Sequence, residues 1–126
     1  MTACSYDVAY DPPLPVCEVT LTVALTGRQT TADAVVDTGA DATIVPVRLP
    51  RHIGARRVFQ TTLRSQWGER RSVFLYLVDL TINEVLLPGV YVVGDEIGNE
   101  VVLGRNVLNK LVVTLDGPQQ IVRIGT

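Results

Sequence analysis

The chain has 126 residues, 47% hydrophobic and 19% charged, with a formal net charge of −2; that is one domain's length, with no general pull toward nucleic acid. Two cysteines (Cys4, Cys17) and one histidine (His52) fall short of the four ligands of a structural zinc site, so neither metal nor cofactor is expected. No stretch reads as a signal peptide or a bilayer span, so the expectation is a soluble, cytoplasmic protein with reduced thiols and no membrane partner.

Residues 1–15 carry Pro12, Pro13 and Pro15 without any period, which predicts an extended N-terminal arm rather than a strand. Residues 16–126 form the single domain. From Glu18, Val19, Leu21, Val23 and Leu25 alternate with threonines and alanine, the pattern of a half-buried strand. The turn "TGR" leads to a second strand from about Gln29 to Val36, and the two make a hairpin. "ATIVP" is a further short strand stopped by Pro46, and Gly54 ends the turn-rich "RLPRHIGA", where His52 reads as a surface residue. Residues 57–63 and 72–82 predict two strands of a long hairpin tipped by "RSQWGERR". "LPGVYVV" and "EVVL" are apolar runs of strand length, and a single short helix is expected over 105–110. Two closing strands flank the Asp116–Gly117 turn. The class is all-β, a barrel or folded sandwich.

Seven arginines and one acid lie between Arg48 and Arg71. They read either as solvated side chains on exposed strand edges or as a patch for an anionic partner. With only Phe59 and Trp67 among them, they make a poor base-stacking platform, so no nucleic-acid partner is expected.

The chemistry concentrates in "VVDTGAD", residues 35–41. Asp37 emerges from an apolar strand, Thr38 offers a hydroxyl to lock the loop, and Gly39 permits a backbone closed to other residues. Taken alone, Asp-Thr-Gly is also an ordinary strand-end turn in which the aspartate caps its own backbone. Further along stands "VVLGRNVL". With these two motifs in this order and at this spacing, residues 18–116 resemble the retropepsins, the retroviral-type aspartic proteases, and their single-domain bacterial relatives. The likeness rests on Val35 to Asp41 and on Val102 to Asn106, with a hairpin between them where the family has its flap.

The resemblance implies a small closed barrel of the retropepsin type and a homodimer that cuts polypeptides. Each subunit would supply one Asp37, because a two-fold axis brings a residue against its own copy. Two such carboxylates hold one proton between them; the ionised one activates water and the protonated one donates to the scissile carbonyl. Thr38 then matches the threonine reaching across the axis, and Gly39 the residue whose carbonyl meets the substrate main chain. Asp41 matches a second acid that binds substrate and pairs with Arg105. Leu103 and Gly104 match the pair packed beneath the loop. Ala40, the flap residues Trp67 and Gly68, and Asp95 of the loop preceding the second motif complete the substrate-binding candidates. Trp67 faces the cleft or buries itself on the barrel, and Asp95 with its acidic neighbours is placed to meet Arg70 and Arg71. Two rivals stand beside this reading: a catalytically weak peptide-binding or dimerisation domain of the same fold, and an anion-binding barrel in which Asp37 only makes a turn.

Overall fold

Period-two patterning puts most of the chain in strands. The computed structural model describes residues 2–64 and 67–126. Strand β1 (Thr2–Ser5) precedes the antiparallel hairpin of β2 (Val16–Thr22) and β3 (Gln29–Val36). In β2, Cys17, Val19 and Leu21 are buried while Glu18 is exposed, as alternation requires. Next come β4 (Ile44–Pro46), helix α1 (Arg48–His52), the hairpin of β5 (Arg56–Arg64) and β6 (Arg70–Ile82), and β7 (Val85–Asp95). The chain finishes with β8 (Val101–Leu103), helix α2 (Arg105–Leu108) and the hairpin of β9 (Val112–Asp116) and β10 (Ile121–Gly125).

Seven strands form one sheet in the order β2–β3–β8–β4–β7–β6–β5, and β2 also pairs with β6. That second pairing, Val19 opposite Ile82 through Thr22 opposite Asp79, closes six strands into a barrel. Closure removes the free edges that an open sheet exposes. The interior is aliphatic: Leu21, Leu80, Ile82, Val92 and Leu103 are almost wholly buried. Each such side chain contributes roughly 1.5–3 kcal/mol relative to leaving it exposed. Strand β5 lies outside the closed set and is an edge, and it carries Arg56, Arg57 and Arg64. Three of the seven arginines thus fall on a solvated edge, where Arg57 stacks over the Phe74 ring at 4.2 Å, while Arg48 and Arg51 lie on α1 and Arg70 and Arg71 on β6. The His52 backbone carbonyl, at the end of α1, accepts from Arg28 Nη2 at 2.6 Å.

Three expectations are corrected. The N-terminal arm is not free of strand: Thr2–Ser5 pairs antiparallel with β10 in a second, three-stranded sheet, β1–β10–β9. Four residues are too few to display a period, and the prolines that follow mask them. The helix expected over 105–110 spans Arg105–Leu108, and a second one, α1, forms where only a turn was expected. The thiols are not reduced. Cys4 on β1 and Cys17 on β2 are joined in a disulfide, with Cα atoms 5.5 Å apart, a spacing such a bond spans. The pairing of β1 with β10 brings them together, and nothing in their sequence spacing announces it. The hairpin tip read over 64–71 lies partly outside the described residues, at 65 and 66. Among the described residues, no helix is long and apolar enough to cross a membrane.

Candidate active site

The Asp37 loop leaves the barrel wall at the end of β3, beside β8. The Asp37 amide donates to the Leu103 carbonyl (3.1 Å), so the two motifs that stood apart in sequence meet here. The Asp37 side chain is half-buried. Its Oδ1 accepts the Gly39 amide at 2.9 Å, and the Ala40 amide donates to the Asp37 carbonyl at 3.2 Å. This is an Asx-type turn in which the carboxylate orders its own loop. Oδ2 makes no hydrogen bond among the described residues, so one carboxylate oxygen is committed to the loop and the other is not, and Asp37 itself is not among the residues lining the cleft beside the loop.

Gly39 serves a purpose other than the one expected. It is absent from the glycines with positive φ, so the backbone there is accessible to any residue. Its constraint is space: a Cβ would lie 3.2 Å from Asp37 Oδ1 and crowd the bonded oxygen. Gly104 is tighter still, because a Cβ there would collide with the backbone of Ala42. That close approach lets the chain after β8 pass directly beneath the 37–43 loop.

Arg105 is the principal correction within the site. The expected pair with Asp41 does not form. Arg105 Nη1 donates instead to the Thr38 carbonyl (2.9 Å), and the Arg105 amide donates to the Ala40 carbonyl (2.8 Å). With Asp41 and Arg105 both exposed, an ion pair between them would contribute little, and the backbone carbonyl within reach takes the guanidinium instead. Arg105 therefore clamps the loop, while Asp41 is exposed and faces the cleft. Thr38 is exposed as well.

Two further residues hold the loop: Thr43, which lies outside both motifs, and Asn106, which ends the second motif but was given no role there. Thr43 is completely buried; its hydroxyl donates to Asn106 Oδ1 (2.7 Å) and accepts the Gly104 amide (3.1 Å). Asn106 Nδ2 in turn donates to the Tyr91 carbonyl (3.1 Å). The chain Gly104–Thr43–Asn106–Tyr91 stitches the loop to α2 and β7. The only signal was a polar residue in an otherwise apolar "ATIVP" and an asparagine just after Gly-Arg.

Beside the loop lies a cleft of about 600 Å³. Gly39, Ala40, Asp41, Ala42 and Ile44 form one wall, and Leu63, Arg64, Glu69, Arg70 and Arg71 of the β5–β6 hairpin form the other, with Ile97 at the end. Small residues on the loop wall leave room for a ligand's main chain to approach the backbone. Trp67 and Gly68 sit at the hairpin turn, exposed, and are not among the lining residues. Asp95 lines a neighbouring cavity of about 480 Å³ with Tyr10 and Glu100. Its Oδ1 accepts from Arg71 Nη2 (3.2 Å) and from the Ile97 amide (2.9 Å), fixing the hairpin to the 95–100 loop within one chain. Arg70 makes no ion pair among the described residues, so of the two arginines only Arg71 meets the acidic loop. Among the described residues, no group of three or more His, Cys, Asp or Glu side chains is placed to hold a metal ion.

No protein-family model matches the chain, and no curated protein matches it.

Proposed function

We propose that the protein is a homodimeric aspartic endopeptidase of retropepsin type, with one Asp37 from each subunit. The observation that carries this reading is the Asp37 loop itself: one carboxylate oxygen is held by Gly39, the other makes no hydrogen bond among the described residues, and the loop residues that follow Asp37, from Gly39 to Ala42, line a cleft whose other wall is the β5–β6 hairpin. A dry-walled strand end, a loop clamped by Arg105 and a polar network under it are what a pre-organised acid–base group needs. One carboxylate is half of the machinery, and a two-fold axis supplies the other half. The pair would share one proton. The ionised Asp37 would take a proton from a bound water as it attacks the peptide carbonyl, and the protonated Asp37 would donate to the carbonyl oxygen. Collapse of the tetrahedral intermediate then expels the amine, which leaves with a proton returned from the pair. Thr38 is assigned to the contact between the loops, and Gly39, Ala40 and Asp41 to the substrate main chain.

The test is cleavage of a mixed peptide library by the purified chain between pH 4 and 7, beside its Asp37→Asn variant. The expected result is cleavage by the natural chain and a fall of at least about 10³-fold in the variant, with folding unchanged, since removing a triad-like acid–base member costs that order. Equal cleavage by both proteins, or none by either, would remove the reading.

A further inference from the structure

The hairpin wall of the cleft is charged in an unusual way. Arg64 and Arg70 are direct partners in the β5–β6 register, both are exposed, and both line the cleft. Like charges directly opposite each other across an antiparallel pair repel. The next pair along the hairpin is arranged differently: Leu63 stands opposite Arg71, whose guanidinium is taken up by Asp95. Neither Arg64 nor Arg70 has such a partner among the described residues. Glu69, on the same hairpin, is engaged in an interaction of its own. Two arginines opposite each other in the register, neither with an ion-pair partner among the described residues, set up a repulsion that an entering carboxylate would relieve. The apolar lining from Ile44, Leu63 and Ile97 adjoins them.

We propose that this cleft selects peptides that carry an aspartate or glutamate next to an apolar residue, with the carboxylate held between Arg64 and Arg70. The proposal rests on the cleft being the substrate channel of the peptidase reading, and it names the substrate class. Arginine suits the task because its planar fork can meet a carboxylate with two parallel hydrogen bonds. In an extended peptide successive side chains point to opposite walls, so the acid and the apolar residue need not compete for one place.

Two measurements test it with the same probes: short peptide pairs that differ only by Glu or Lys at one position, walked past a leucine. In the first, kcat/KM is compared within each pair. The Glu member is expected to be cut about ten-fold better at one or two positions, the size of a charge-assisted contact. The double variant R64E/R70E should reverse the order in favour of Lys, a result that a merely damaged protein would not give. In the second, binding of the same peptides to the Asp37→Asn protein is followed by fluorescence anisotropy, at low and high salt. The Glu member should bind about ten-fold tighter at low salt, with the gap closing as salt rises. Cleavage or binding indifferent to the charge, or an unaltered order in R64E/R70E, overturns the assignment and leaves the peptidase standing. Acid-selective binding without any cleavage does the opposite.

Discussion

At the scale of single residues, the loop owes its shape to groups that carry no reacting atom. Thr43 is the sharpest case, a fully buried hydroxyl with both a donor and an acceptor satisfied. Thr43→Val keeps the volume but strands the Gly104 amide and Asn106 Oδ1 in a dry site. It should lower stability by about 1–3 kcal/mol, read as a lower urea midpoint at unchanged slope. Thr43→Ser, which retains the hydroxyl, should lose distinctly less. Equal losses for the two would show that the methyl matters and the network does not. Sequence reading found Asp37 and Gly104 because their residue types are constrained by chemistry and by contact. It passed over Thr43 because threonine in a β-branched run is an ordinary strand residue. The pair of Arg105 with Asp41 was implied by the resemblance alone, and the carbonyls that Arg105 meets instead, present at every position, leave no mark in a sequence.

At the scale of elements, alternation located β3 closely, and the long apolar run of β6 could only be a strand; for β2 the pattern ran on to Leu25, whereas the strand spans Val16–Thr22 and Leu25 is exposed in the turn that follows. What failed was the end of the chain where local pattern is weakest. Thr2–Ser5 forms a strand because β10 is there to receive it, and a partner more than a hundred residues away leaves no trace in a four-residue window. The disulfide then locks that strand to β2, with Cys17 buried in the core. Cross-linking residues 13 apart removes freedom from the unfolded chain, and the chain-entropy estimate for a loop of that size is about 3 kcal/mol. The double variant C4S/C17A should therefore melt well below the natural protein under non-reducing conditions. Dithiothreitol should bring the natural protein down to a similar melting temperature while leaving the variant unmoved. A natural protein insensitive to reductant would show that the bond contributes nothing to its stability in solution. A disulfide of this kind persists where the surroundings are oxidising.

At the scale of the whole molecule, the all-β class was legible, since nine short segments bounded by turn residues leave few other choices. Closure was not. It depends on β2 meeting β6 as well as β3, a long-range pairing that no local pattern encodes. The same is true of assembly, and the proposed chemistry stands or falls there. If each chain brings half a site, activity belongs to pairs and must respond to what the partner carries. Mixing the natural chain with its Asp37→Asn variant, then allowing subunits to exchange, separates the possibilities without knowledge of the interface. Random pairing at equal amounts leaves about one quarter of the dimers with two intact carboxylates. Activity per total protein should then fall to about a quarter of the unmixed value, and across a series of mixtures it should follow the square of the natural fraction. A chain that works alone gives a straight line instead, about one half at equal amounts, since each intact molecule keeps its own turnover. Dilution adds an independent reading: a dimeric site loses specific activity as the concentration drops below its dissociation constant, whereas a site complete in one chain does not. A linear mixing series with dilution-independent activity would assign catalysis to a single barrel, and the carboxylate partner of Asp37 would then have to be sought within the same chain.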